Sequence, residues 1–305
     1  MSVAGETVGH HDNHVAGILW MLVTVLCFTS LDTLMKDLLQ TYSLVQVTWA
    51  RFFFATIIAA LAAGPNLRAV VKSGAPVLQL TRSLLLALTT GIFNAGVRLV
   101  PLATATTIMF LAPILVTVLS VPLLKEHVGA RRWIGVIIGF LGALIVVQPW
   151  ESHMGMFLTG AGLLLIAALL NANYQIITRK VRLYDEPLTS LFYTAVVGAV
   201  ATTLLVPWHW QWPTWGDWLL LISTGLLGGI GHLCLIQAFR IAPASVVAPF
   251  SYSSLIWAAL FGWLFFSEWP DGWTWLGAAL IIGSGLYIFH RERQHRQNEI
   301  IRRTT

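Results

Sequence analysis

The chain is poor in charge: 10% of its 305 residues are Asp, Glu, Lys or Arg, while 57% are hydrophobic. Soluble domains carry roughly 25% charge, so this much apolar surface has no single water-soluble core to enter. Cysteine is nearly missing as well. Cys27 and Cys234 both lie inside apolar runs, which argues against a disulfide framework and leaves them as small buried hydrophobes. Met1 to His14 contain no Lys or Arg, unlike the basic start of a cleaved signal peptide, so the first apolar run is expected to be retained as a span. No Gly-rich phosphate loop, metal-ligand cluster or nucleophile motif is visible, so no catalytic residue, cofactor or metal is expected. The formal charge of +5 is dispersed over loops, which fits membrane orientation and not nucleic-acid binding.

What the sequence does have is apolar runs of about 20 residues, the length that crosses a bilayer as a helix. They are continuous, not alternating, so the reading is an all-α integral membrane protein with ten transmembrane helices and not a barrel. The expected organisation is one membrane domain: repeat one over 15–147, repeat two over 158–289, and a basic cytoplasmic tail over 290–305.

The repeats show in the punctuation. Arg98 and Arg240, Pro101 and Pro243, Glu126 and Glu268, Trp133 and Trp275, and Gly135 and Gly277 all stand 142 positions apart. Helix starts and stops recur where interchangeable apolar residues would be uninformative. Five spans per half is an odd number, so the second half enters the membrane from the opposite side and the repeats are inverted. With the N-terminus cytoplasmic, the inner side collects Arg68, Lys72, Arg82, Lys125, Arg131, Arg132 and most other basic residues, and the outer side keeps Lys36 and Arg98. That asymmetry predicts both termini in the cytoplasm of a cell with an inner membrane.

The turns "RLVPLATATTIMFLAPI" and "RIAPASVVAPFSY" and the segment "ARRWIGVIIGFLGALIV" resemble the drug/metabolite transporter superfamily, in particular its EamA-type members. The opening "GILWMLVTVLCFTSLDTLMKDLLQTYSLVQVTWARFF" is similar to the branch of riboflavin and S-adenosylmethionine importers. The resemblance implies a secondary transporter working by alternating access, drawing on a proton or ion gradient, with a midplane site between the repeats. Import of a riboflavin-like or S-adenosylmethionine-like solute leads, and export of amino acids or their derivatives is the alternative. An intramembrane lipid-modifying enzyme is a third reading, but only the level of Asp32 and Arg51 offers polar groups for it.

Ionisable residues within spans carry the information about the site, since each costs at least ~2.5 kcal/mol in hydrocarbon. Asp32 and Arg51 flank the first turn at similar depth and are expected to form an interhelical ion pair. Two other arrangements stay open: Asp32 pairing with Lys36 on its own helix, or Arg51 binding a substrate carboxylate or phosphate. Glu126 and Glu268 are either gating groups or helix ends held by neighbouring amides and basic residues, the second being favoured. Asn171, Tyr174 and Thr178 share one face of helix six. Asn94, His232 and Tyr252 complete the candidate substrate-binding set, with Pro113 and Pro249 as helix kinks. His232 either takes up a proton or packs. Trp20, Trp49 and Trp257 offer stacking surfaces or packing. Gly135, Gly139 and Gly142, with Gly225 and Gly229, have the spacing that lets helices approach closely, within the chain or at a homodimer face.

Overall fold

The computed structural model describes residues 13–125, 128–150 and 155–304, and all regular structure among them is helical. Among the described residues nine helices are long and apolar enough to cross a membrane, and a tenth, Pro187–Thr203, is apolar but shorter. In chain order they are α1 (His14–Leu38), α2 (Leu44–Ala63), α3 (Pro76–Val97), α4 (Leu102–Met109 and Leu111–Leu124) and α5 (Ala130–Val147). The second half holds α6 (Gly155–Val181), α7 (Pro187–Thr203), α8 (Trp215–Ile241), α9 (Ala244–Val247, Ala248–Ser253 and Ser254–Phe266) and α10 (Gly272–Thr304).

The helices start and stop where the sequence supplies caps. Asn13 and Ser43 accept the backbone N–H three residues on, opening α1 and α2. Pro76 and Pro187 open α3 and α7, where a missing N–H costs nothing. Lys125, Gln148 and Ser267 take left-handed φ values of 54°, 46° and 56° and end α4, α5 and α9. Short turns then reverse the chain at each end. We call the face where α1 begins proximal and the other distal; α1 runs from proximal to distal and ten crossings bring α10 back to the proximal face.

Helix partners reveal the symmetry. α1 packs on α8 and α3 on α6, α2 touches α7 and α8, α3 touches α7, α4 packs on α6 and α9 on α1, and α5 lies along α10. Exchanging helices one to five with six to ten maps this set onto itself, so the halves interlock instead of standing side by side. At the α5–α10 contact a Cβ on Gly142 would lie 2.9 Å from the Gly277 carbonyl, and one on Gly277 would collide with Val146. Gly135 and Gly139 face Ile288 and Ser284 of α10 in the same way, so the small-residue stripe is spent inside the chain and is not a homodimer face. Gly225 and Gly229 let α8 settle on Phe54 and Ile58 of α2.

Two helices are broken near their middles. α4 is interrupted at Phe110, since Pro113 lacks an N–H and its ring crowds the carbonyl of Met109. α9 tightens to a 3-10 turn over Ala248–Ser253, which contains Pro249. Phe110 and Tyr252 stand 142 positions apart, and their rings meet edge to face at 4.9 Å. Equivalent residues that touch each other mark where the pseudo-two-fold axis passes.

Candidate functional site

Asp32 sits about 9 Å below the distal end of α1 and Arg51 about 10 Å below the distal end of α2, taking 1.5 Å per residue. Both are half-buried, keeping accessible surface inside the bundle. They interact electrostatically, but they do not form the expected direct ion pair: among the described residues the ion pair within 4.0 Å is Lys36 with Glu268. Arg51 instead points Nη1 at the Met35 sulfur, 3.9 Å away, with the Phe52 ring 5.8 Å from its guanidinium carbon. Sulfur is a weak acceptor, so the guanidinium fork keeps most of its donors for something else. The Asp32 carboxylate has no hydrogen-bond partner among the described residues.

Below this pair lies a denser polar knot. Arg82, counted in the sequence with the loop charges, is buried. Its Nε donates to Thr178 Oγ1 at 2.8 Å, Nη1 to the Ser190 carbonyl at 3.0 Å and Thr194 Oγ1 at 2.7 Å, and Nη2 to the Tyr174 hydroxyl at 2.7 Å. The guanidinium also lies 4.7 Å from the centre of the Tyr174 ring. Arg82 thus spends four of its five N–H donors on the protein and ties α3 to α6 and α7. Tyr174 is within electrostatic reach of Arg51, and His232 of both arginines, so these groups of α2, α3, α6 and α8 gather in one region of the bundle.

His232 Nδ1 is 2.9 Å from the Gly228 carbonyl, which can only accept, so that nitrogen carries hydrogen and Nε2 is left over. Its ring meets Phe28 edge-on at 4.9 Å. Asn171, one turn from Tyr174 on the same face, is half-buried and makes no hydrogen bond among the described residues. No group of three metal-ligating side chains exists among the described residues.

A different constellation ties the distal helix ends together. Lys36, one turn after Asp32, turns away from it and donates to both Glu268 oxygens at 2.7 and 2.6 Å and to the Val100 carbonyl at 2.8 Å. Glu268 also accepts the Leu102 N–H at 3.1 Å, capping α4. One carboxylate therefore ties α1, the α3–α4 turn and the end of α9 together. Glu268 is held by an amide and a basic residue, but that lysine is buried in a helix and not in a loop. Glu126, its counterpart in the first half, lies outside the described residues. On the proximal side Asp185, in the α6–α7 turn, accepts from Ser73 Oγ, the Gly74 N–H and Gln79 Nε2. Burial pushes its carboxyl up, but these donors outweigh that and hold it below the ordinary carboxylate range.

Two sequence candidates belong elsewhere. Asn94 is fully buried; its Nδ2 donates to Thr48 Oγ1 at 3.1 Å and its Oδ1 has no partner, so it fastens α3 to α2 and does not line the cavity. Tyr252 presses its ring on Phe110 and its hydroxyl into the space beside Gly285, away from the Arg51 group. Trp49 is pinned by a bond from Nε1 to Thr203 Oγ1 at 3.0 Å and a stack on Phe53, and Trp257 packs on Phe261. Trp20 lines an apolar cleft of about 500 Å³ between α1, α2, α7 and α8 with Ile230, Leu233 and Gln237.

Comparison with known proteins matches the model of the EamA-like transporter family over residues 15–148 and again over 158–289. A Rickettsia bellii protein named S-adenosylmethionine uptake transporter is 30% identical, the match covering 93% of this chain and 97% of that one. A Rhizobium johnstonii protein named riboflavin transporter is 30% identical over 91% of this chain and 92% of that one. A solved crystal structure at 18% identity shares the fold, with a TM-score of 0.60 over 92% of this chain and 98% of that one.

Proposed function

The chain belongs to the EamA-like transporter family, and from that premise we propose that it is a secondary importer of a small planar metabolite, S-adenosylmethionine-like first and riboflavin-like second. The observation that carries this reading is Arg51: a guanidinium deep in the bundle, with accessible surface and, among the described residues, no carboxylate within ion-pair distance. Such a group is costly in a membrane unless water or a ligand attends it. Tyr174, Phe28 and His232 bring aromatic rings to the same region of the bundle, the kind of surface on which a planar base stacks. Relatives named for both solutes support the substrate class.

In this reading the halves 15–147 and 158–289 rock against each other about the Phe110–Tyr252 contact. The Lys36–Glu268 clasp closes the distal face in this conformation and opens in the other. The proximal face, which carries Arg68, Lys72, Arg131 and Arg132, is the cytoplasmic side of an inner membrane, with both termini and the tail 290–305 on it. A proton or ion gradient supplies the energy, and His232 Nε2 is the group in the cavity suited to carry a proton.

Uptake of labelled S-adenosylmethionine and of riboflavin into cells expressing the protein tests the reading, with Arg51→Ala and Tyr174→Ala alongside. The wild type accumulates one of the two, and Arg51→Ala loses that uptake at equal membrane abundance. Accumulation of neither, or uptake untouched by Arg51→Ala, counts against it.

A further inference from the structure

Asp32 and Arg51 are a pair of opposite charges that stop short of each other. They lie on consecutive antiparallel helices, both packed on α8, at matching depth, interact electrostatically and yet are not within 4.0 Å. Neither is satisfied by another route. Lys36, the cation one turn along α1, is committed to Glu268 and the Val100 carbonyl. Arg82 gives four of its five N–H donors to protein oxygens, and His232 Nδ1 bonds the Gly228 carbonyl. Of these groups, those left without a strong partner among the described residues are one carboxylate, one guanidinium fork, the amide of Asn171 and His232 Nε2. A neutral ring system would leave both charges bare, and a simple anion would satisfy Arg51 but face Asp32.

We infer that Asp32 and Arg51 form a cradle for a zwitterionic α-amino-acid head, Asp32 taking the substrate ammonium and Arg51 its carboxylate. An ammonium adjoining a carboxylate presents both signs side by side, and a guanidinium binds a carboxylate through two parallel N–H donors. Inserted between the two residues, the head completes the pair that the protein leaves open. Asp32 is then a specificity-determining residue, rejecting solutes without a cation. The inference rests on the transporter reading and narrows it to the S-adenosylmethionine-like solute over the riboflavin-like one.

The test is equilibrium binding to the purified full chain in detergent. The probes are S-adenosylmethionine, its des-amino and decarboxylated forms, and riboflavin, each measured on the wild type and on Asp32→Asn. On the wild type, loss of the ammonium or of the carboxylate each weakens binding by about tenfold or more. Asp32→Asn weakens S-adenosylmethionine by a similar factor but leaves the des-amino form within about twofold of its wild-type affinity, since that interaction is already gone. Retained binding of the des-amino form also certifies that the variant is folded. The wild-type series alone decides the matter if the variant does not fold. Equal binding of all three forms of S-adenosylmethionine by the wild type overturns the cradle and leaves the transporter reading standing. Binding of riboflavin without S-adenosylmethionine does the same, whereas binding of no probe counts against the substrate reading from which the cradle was drawn.

Discussion

Glu268→Gln is the sharpest perturbation of the distal clasp. It keeps the side-chain shape and an acceptor for the Leu102 N–H but removes the negative charge from a lysine whose side chain is 7% exposed, while that of Glu268 is 26% exposed. Removing one partner of a fully buried ion pair costs about 3–5 kcal/mol, because the remaining charge is stranded. Solvent reaches the Glu268 end, and Lys36 keeps its bond to Val100, so the expected cost is lower, about 2–3 kcal/mol. Lys36→Met in the same background removes the stranded charge, and the double variant is expected to recover at least about 1 kcal/mol relative to Glu268→Gln. Reversible unfolding of the purified protein in mixed micelles, titrated with denaturing detergent, reads all four corners of this cycle. A loss below about 0.5 kcal/mol in Glu268→Gln, or no recovery in the double variant, would refute the claim that this charge pair holds the distal face.

Other consequences are independent of that clasp. Gly277→Ala drives a methyl into Val146 and the Gly142 carbonyl and should cost about 1–3 kcal/mol, whereas Gly91→Ala in α3 meets nothing within 4 Å and should be neutral or slightly stabilising by the same unfolding assay. Arg82→Lys cannot reach Tyr174, Thr178, Thr194 and the Ser190 carbonyl at once, so it should fail to restore the thermal stability lost in Arg82→Ala. Asp185, whose folded carboxyl is held below its ordinary value, contributes stability that is fully present above that ordinary value and is lost as pH falls through the depressed one. Unfolding midpoints measured from pH 6 down to pH 3 should therefore drop at the acid end, and Asp185→Asn should flatten that part of the profile.

The architecture was legible because the helix ends carry it. Pro101 and Pro243 mark helix starts and Gly135 and Gly277 close contacts, and these recur at a fixed displacement when the apolar fill between them does not. The site was legible in part. Asp32, Arg51, Tyr174 and His232 stood out as polar groups in apolar runs, and in the structure Arg51 is within electrostatic reach of the other three. Arg82 was hidden by the habit of assigning basic residues to loops, although Pro76 starts α3 six positions earlier and so places Arg82 inside the helix. Lys36 was hidden more deeply, since its partner is 232 positions away and no local pattern announces it. Asn94 and Tyr252 show the converse: both are polar groups in spans, but helix rotation turns one into the α2–α3 contact and the other onto Phe110. Depth can be counted from a turn; the direction in which a side chain faces depends on tertiary packing, which the count does not contain.

The central claim, one cavity served alternately from two faces by interlocked inverted halves, is tested most directly by counterflow. Proteoliposomes preloaded with unlabelled S-adenosylmethionine and diluted into labelled S-adenosylmethionine, without nucleotide, should take up label in a transient overshoot that saturates with concentration and is lost in Arg51→Ala. Uptake that follows the gradient without overshoot or saturation, or an overshoot of equal size in Arg51→Ala, would contradict the account.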